Sequence, residues 1–245
     1  MSAPPALARI SVAILAGGLG TRLRPVVADR PKVVAEVAGR PFLAWLLDQV
    51  ARAGFRDAVL CVGWRAELVE RAIGAAHGPL RVRYAREPSP LGTAGALRHA
   101  LPLLESERVM AMNGDSYCEA DLPGAWAWHE AAGSDATVLL AEVPDTSRFG
   151  RVEVGPDGAI CRFLEKQEGG GPGLVNAGIY LLSRARIAAL PETAPLSLER
   201  EVFPGWVGRG LRGLPTRGAL VDIGTPRSYA GASDFFRTGG RGSPA

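Results

Sequence analysis

The β-branched-rich apolar run ISVAILA (10–16) ends abruptly at Gly17-Gly18 and opens a long loop punctuated by Gly20, Pro25 and Pro31. A continuous apolar run of this length, bounded by glycine, predicts a strand buried on both faces. It is too short to cross a membrane, which takes about 20 residues, and no signal-peptide pattern precedes it. Strands buried on both faces belong to parallel sheets with helices on either side. The loop behind the run spans about 20 residues, a length that usually carries function.

The rest of the chain agrees with this start. PFLAWLLDQVARAG (41–54) has apolar residues at three- and four-residue spacing and a glycine stop, which predicts a helix. DAVLCVG (57–63), LRVRYAR (80–86), RVMAMNGD (108–115) and DATVLLAEV (135–143) predict strands; 65–74, 92–104 and 121–132 predict helices. This alternation predicts an α/β fold, with a mostly parallel, Rossmann-like sheet flanked by helices. The pattern changes after Pro144. RVEV (151–154), GPDG (155–158) and AICRFLEK (159–166) predict a β-hairpin, and VNAGIYLLS (175–183) a further strand. Ser197 is placed to cap a helix over 197–207 that Pro204 should break. LVDIG (220–224) ends a strand, and Thr225-Pro226 should start a helix running to 237. We expect one domain over 1–245: a nucleotide-binding half over about 10–143, a smaller sugar-binding half over about 144–237, and a flexible tail over 238–245.

Composition narrows the function. At 47% hydrophobic, the chain can bury a full core. The net charge of +3 is ordinary, and the arginines are scattered, which argues against nucleic-acid binding. Cys61, Cys118 and Cys161 are odd in number and far apart, and His77, His99 and His129 share no metal spacing. Cys61 and Cys161 lie in apolar strand patterns and are expected to be buried thiols. The chain reads as a soluble, cytoplasmic protein with no membrane partner.

Only two of the 28 basic residues are lysine, Lys32 and Lys166. Lysine is a compact point charge on a flexible stem, whereas arginine is a rigid planar fork. Lys32 lies close behind GGLGTRLRP (17–25), and Lys166 lies in FLEK (163–166), shortly before VNAG (175–178). GGLGTRLRP sits at a strand's C-terminal end, where open α/β sheets bind ligands. Its glycines let backbone N–H groups approach phosphate oxygens, and Thr21, Arg22 and Arg24 add a hydroxyl and fixed charge. A Walker loop fails because no lysine stands at the required spacing. A dinucleotide fingerprint fails because the third glycine position is Leu23. Asp115 and Asp222 each end a strand, and two such carboxylates could hold Mg²⁺ against phosphate oxygens.

GGLGTRLRP with Pro31-Lys32 close behind, NGD (113–115), GTA (92–94), FLEK, VNAG and VDIGTP (221–226), in this order, resemble the sugar-1-phosphate nucleotidyltransferases across residues 10–237. The resemblance implies in-line attack of a sugar-1-phosphate oxygen on the α-phosphorus of a nucleoside triphosphate, releasing pyrophosphate, with Mg²⁺ as cofactor. It implies that Ala16, Gly17, Gly18, Gly20 and Thr21 cradle the triphosphate and that Arg22 and Lys32 offset its charge. Asp115 and Asp222 would hold the metal. Gly150, Glu165 and Asn176 would line the sugar pocket, and Lys166 would hold the sugar phosphate. Gln167 departs from the EKP that this family often carries, but leaves the lysine in place. The resemblance is compatible with a homodimer and leaves the oligomeric state open.

EPSPLGTAG (87–95) resembles the segment that reads the nucleobase, with Glu87, Gly92 and Thr93 as nucleotide-binding positions. Guanylyltransferases commonly carry glutamate at the first of these, and thymidylyl- and uridylyltransferases glutamine. A carboxylate accepts only, and can take both N1–H and N2–H of guanine. GTP is therefore the favoured nucleotide. The early end after VDIGTP and the GTP features most resemble D-glycero-α-D-manno-heptose-1-phosphate guanylyltransferases, with mannose-1-phosphate guanylyltransferases second. The alternatives are a uridylyl- or thymidylyltransferase on glucose-1-phosphate or N-acetylmuramic acid-1-phosphate, or a regulatory subunit that binds nucleotide-sugar without catalysis. A subunit of that kind would lose catalytic positions, yet Arg22, Lys32, Asp115, Lys166 and Asp222 are all present. The missing third glycine disfavours a dinucleotide-dependent oxidoreductase.

Overall fold

The computed structural model describes residues 7–164, 170–192 and 195–238. The first half opens with β1 (Ser11–Leu15), a small hairpin of β2 (Glu36–Val37) and β3 (Arg40–Pro41), and helix α1 (Phe42–Arg52). It continues through β4 (Asp57–Val62), α2 (Ala66–Ile73), β5 (Ala76–His77), β6 (Leu80–Arg86), α3 (Gly92–Ala100), β7 (Arg108–Asn113), β8 (Ser116–Cys118), α4 (Leu122–Ala131) and β9 (Ala136–Val143). The second half holds β10 (Arg151–Val154), β11 (Ile160–Leu164), β12 (Gly173–Ser183), α5 (Arg184–Ala188), α6 (Phe203–Trp206), β13 (Leu211–Thr216), β14 (Leu220–Asp222) and α7 (Pro226–Arg237).

The central sheet runs β11-β10-β12-β7-β1-β4-β6-β5, with β9 on β12 and β13 on β9. β7, β1, β4 and β6 are parallel, as the alternating pattern predicts. β12 is antiparallel to β7 and carries the sheet into the second half. Side chains alternate between two cores. Val12, Ile14, Ala58 and Leu60 meet α1 and α7 on one face; Ala13, Val59 and Cys61 meet α3 and Phe203 on the other. Burial on both faces is what a continuous apolar strand requires.

Several expectations need correction. The helix predicted over 92–104 leaves α geometry after Ala100 and finishes as a 3₁₀ turn, Leu101–Leu103, with Pro102 in its first turn. Ser197 does cap, accepting from Arg200 N–H, but the element over Leu198–Val202 is a π-helical turn. Pro204 breaks no helix. It lies in the first turn of α6, where its missing N–H costs nothing. β13 lacks a clean alternation and is not predicted by the sequence; it pairs parallel with β9. Cys161 is exposed, not buried, because β11 is the edge strand and one of its faces is open. Thr225 and Ser228 form a reciprocal capping box at the start of α7, at the predicted position. The expected tail falls outside the described residues from 239 onward. Among the described residues, no helix is long and apolar enough to cross a membrane.

Candidate active site

The chain leaves β1 for β4 and β6 on one side, then returns to β7 on the other. Where strand order reverses, loops at the C-terminal strand ends part and leave a crevice. A cleft of about 340 Å³ opens there, between Leu15 at the end of β1 and Asn113 at the end of β7. Seven of the sequence-predicted residues line it: Gly17, Gly18, Lys32, Glu87, Gly92, Thr93 and Asp115.

Glu87 lies just past β6 and reaches under the glycine loop. A Cβ on Gly17 would lie 1.9 Å from Glu87 Oε1, so the two positions are matched. Glu87 Oε2 accepts from Leu91 N–H at 3.1 Å. Burial raises the Glu87 carboxyl above its ordinary range, opposed by that N–H and by His99. Gly92 starts α3 at φ +72°, and a Cβ there would sit 2.5 Å from Leu196 O; both facts require glycine.

Lys32 Nζ donates to Asp115 Oδ2, and its stem packs under Gly18 and Gly20. Ala16 is buried beneath the loop, its N–H on Cys61 O at 2.8 Å. Gly20 accepts from Leu23 and Arg24 N–H in the turn that carries exposed Thr21. Arg22 points toward the β14–α7 junction: its Nη2 is 3.5 Å from a Cβ built on Gly224, and it makes no ion pair among the described residues.

Asp222 reaches the same corner through β14, which pairs antiparallel with β8 so that Asp222 lies opposite Ser116. Ile223 N–H donates to Asp115 O at 2.9 Å. Asp222 Oδ1 accepts from Gly224 N–H at 2.9 Å and Ser228 Oγ–H at 3.0 Å. Its Oδ2 faces Arg148 Nη2 at 3.4 Å.

Not every expected residue lines the cleft. Gly150 lies against the edge hairpin, where a Cβ would be 2.9 Å from Leu164 O. Asn176 reaches the cleft wall indirectly, through Nδ2 to Tyr180 OH at 3.1 Å. Glu165 and Lys166 fall outside the described residues.

Sequence reasoning missed Glu199, which closes the far wall beside Asn113. Its Oε2 accepts from Thr93 Oγ1 at 2.7 Å and Ser197 Oγ at 2.9 Å. Its Oε1 accepts from Tyr180 OH at 3.0 Å and Asn113 Nδ2 at 3.4 Å. Burial, with Glu199 alongside, pushes the Tyr180 phenol far up, so it stays protonated and donates. Thr93 Oγ1 also accepts from Leu198 N–H at 2.8 Å. That hydroxyl therefore holds the wall together. The one available signal was Ser197 as a cap with an acid two residues on.

A glycine-lined cleft at the sheet's switch point, with lysine, arginine and two carboxylates around it, suits a phosphate-bearing ligand. The model of the family described as "Nucleotidyl transferase" matches residues 11–239. The chain belongs to the nucleotidyl transferase family. Among its relatives, the mannose-1-phosphate guanylyltransferase of Mycobacterium tuberculosis is 34% identical over 94% of this chain and 65% of that protein. The mannose-1-phosphate guanylyltransferase catalytic subunit beta of Danio rerio is 33% identical over 88% of this chain and 61% of that protein. The chain thus spans less than two thirds of the length of these relatives. Among solved structures, HddC from Yersinia pseudotuberculosis complexed with GMP-PN has a TM-score of 0.80 at 30% identity, covering 93% of this chain and 99% of that one. The mostly parallel, helix-flanked sheet is the fold of this solved neighbour.

In this member of the family, the donor set suits a hard cation. No group of three or more His, Cys, Asp or Glu gathers among the described residues, so a self-sufficient protein cage is absent there. Two carboxylates at adjoining strand ends match the sparse oxygen set with which Mg²⁺ is held beside phosphates and water.

Proposed function

We propose that this chain transfers GMP from GTP to the phosphate of a manno-configured sugar 1-phosphate. A phosphate oxygen of the sugar attacks the α-phosphorus in line. The new P–O bond forms as the bond to the β-phosphate bridging oxygen breaks, and pyrophosphate leaves with that electron pair. Positioning and charge stabilisation supply the catalysis, with no covalent enzyme intermediate.

The observation that carries the reading is Glu87, a half-buried carboxylate in the same cleft as Lys32 and Asp115. A desolvated carboxylate gains most from paired donors, which guanine's N1–H and N2–H provide. Uracil or thymine would oppose it with a carbonyl oxygen. The backbone of Gly17, Gly18 and Gly20 cradles the triphosphate, aided by Thr21, with Ala16 fixing the loop's root. Arg22 and Lys32 offset charge at the α-phosphate and the departing pyrophosphate. Asp115 and Asp222 hold Mg²⁺, which supplies further neutralisation of phosphate charge. Gly150, Glu165 and Asn176 are assigned to the sugar, and Lys166 to its phosphate. We place the activity in the cytoplasm, where free thiols such as those of Cys61, Cys118 and Cys161 persist.

Two sugars stand level. Mannose 1-phosphate is supported by the names of the relatives at 33–34% identity. D-glycero-α-D-manno-heptose 1-phosphate has the same ring stereochemistry. The test is a pyrophosphate-release panel of GTP, UTP, dTTP, ATP and CTP against mannose, heptose, glucose and N-acetylmuramic acid 1-phosphates, with and without Mg²⁺. Release with GTP and one or both manno sugars, dependent on Mg²⁺, is expected. Silence with GTP alongside turnover of UTP or dTTP overturns the guanine assignment.

A further inference from the structure

Each of the two carboxylates assigned to the metal already carries a basic partner. Lys32 Nζ donates to Asp115 Oδ2, and Arg148 Nη2 faces Asp222 Oδ2 at 3.4 Å. The two pairs are mechanically joined, since β8 and β14 zip Ser116 to Asp222 and Ile223 N–H bonds Asp115 O. Two carboxylates facing two cations sum to no net charge. Such a site gives a bare divalent cation little to gain, because entry must first displace a lysine or an arginine.

The Arg148 contact is suited to exchange. Its side chain is 42% exposed and the contact is long, so it contributes little to the fold. Asp222 is oriented without it, through Gly224 N–H and Ser228 Oγ–H on the opposite oxygen. Among the described residues, the other contact of Arg148 is with its neighbour Phe149, over which it stacks with 5.7 Å from Cζ to the ring centroid. A planar guanidinium set free beside a phosphate site is a ready bidentate ligand for phosphate oxygens.

We propose that Arg148 is an exchangeable counter-ion: it guards Asp222 until a metal arrives with its phosphates, and then transfers to the phosphate. Metal uptake is thereby conditional on the polyphosphate, which brings the anionic oxygens that Arg148 and Lys32 need on leaving the carboxylates. The inference rests on the reading of Asp115 and Asp222 as the metal carboxylates, and it adds Arg148 as a positioning residue for the phosphates.

The test uses Mn²⁺ as a paramagnetic stand-in and inorganic tripolyphosphate as the phosphate probe, on the full chain. Free-Mn²⁺ EPR titration compares the wild type with Arg148→Gln and Arg148→Lys. Calorimetry then measures tripolyphosphate binding at saturating Mn²⁺. For Arg148→Gln we expect Mn²⁺ affinity of the free protein to rise about twofold to fivefold, the scale of a partly exposed charge pair. Its tripolyphosphate affinity should fall by about tenfold, the loss of a charge-assisted phosphate contact. Arg148→Lys, which keeps the charge but loses the bidentate fork, should stay close to wild type in Mn²⁺ affinity and fall between the other two in tripolyphosphate affinity. Tighter Mn²⁺ binding together with weaker tripolyphosphate binding is the combination that a purely structural arginine would not give. Unchanged or weaker Mn²⁺ binding by Arg148→Gln overturns the proposal, as does unchanged tripolyphosphate binding. Absence of Mn²⁺ binding by all three proteins even with saturating tripolyphosphate overturns it together with the metal assignment. The guanine assignment fails separately, in the nucleotide panel.

Discussion

Thr93 Oγ1 donates to Glu199 Oε2 at 2.7 Å across 106 residues of chain. That bond joins the start of α3 to the segment before α6, and Tyr180 on β12 and Asn113 on β7 converge on the same carboxylate. Glu199 is therefore the knot between the first half of the chain and the second. Its role is positioning, since its oxygens are already occupied by internal donors. Glu199→Ala leaves several half-buried donors without acceptors. Each unsatisfied group costs about 1–3 kcal/mol. We expect unfolding free energy, from urea denaturation, to fall by about 2–4 kcal/mol, with a rise in KM for the nucleotide. A loss smaller than about 0.5 kcal/mol, the range of ordinary surface substitutions, would remove Glu199 from this role.

The near side of the cleft was legible in sequence because it is local. A strand end, a glycine loop and a lysine lie within one stretch of chain, and Glu87 and Gly92 lie in another. Each carries a chemical reason to be there: close backbone approach at Gly17, a left-handed start to α3 at Gly92, a desolvated acid at Glu87. Glu199 and Asn113 were not legible as wall residues. Their meaning depends on antiparallel pairing of β12 with β7, which local spacing does not encode. β13 was invisible for a related reason. LRGLPT has a glycine and a proline where a strand pattern would have side chains, and only its pairing with β9 makes it a strand. Cys161 failed in the opposite sense: its apolar surroundings suggested burial, but an edge strand keeps one face open.

Gly17 and Glu87 form a matched pair that can be probed from either side. Glu87→Gln replaces one acceptor with a donor, while a pyrimidine carbonyl welcomes that donor. We expect the kcat/KM preference for GTP over UTP to drop by at least about 10²-fold, within the range that polar mismatches reach. Gly17→Ala forces Glu87 Oε1 to move, because the new Cβ would be 1.9 Å away. That oxygen ends a flexible side chain, so the protein should fold normally and lose mainly GTP affinity, with KM rising about tenfold, or roughly 1.4 kcal/mol. Burial also raises the Glu87 carboxyl, so it takes a proton at higher pH than an ordinary glutamate. Acidification below neutrality should therefore lower kcat/KM for GTP more steeply in the wild type than in Glu87→Gln. Parallel pH profiles for the two proteins would sink the base-reading role.

Lys32 tests the point-charge argument. Its stem lies against Gly20, where a Cβ would be 3.5 Å from Lys32 Cβ, and its Nζ sits under Gly18. Arginine would place a broader planar head between Gly18 and Asp115. We expect Lys32→Arg to fold, and kcat to fall by about 10²–10³, typical for one misplaced charge donor near a developing anion. Single-turnover kinetics with GTP would show whether the defect lies in the chemical step. Turnover equal to wild type would refute the requirement for lysine.

His129 on α4 is a buried histidine whose protonation opposes the fold. It is fully buried, its Nδ1 is 2.8 Å from Thr137 Oγ1, and its Nε2 faces Arg108 Nη1 at 3.2 Å. Arg108 can only donate, so Nε2 accepts and the neutral ring is the form that fits. Burial first, and then the Arg108 charge, lower the His129 pKa from 6.5 to about 4. Proton uptake sets the sign. Between about pH 6.5 and 4 the unfolded chain binds a proton at this position and the folded chain refuses it, so folded stability falls as pH falls through that window. The slope has a ceiling of about 1.4 kcal/mol per pH unit for one group. His129→Gln keeps a donor and an acceptor but cannot titrate. It should be less stable than wild type near neutral pH, with the gap narrowing by about 1–2 kcal/mol on going to about pH 5. Urea midpoints for both proteins across that range decide the point. A constant gap would mean that His129 is protonated in the folded protein as readily as in the unfolded one.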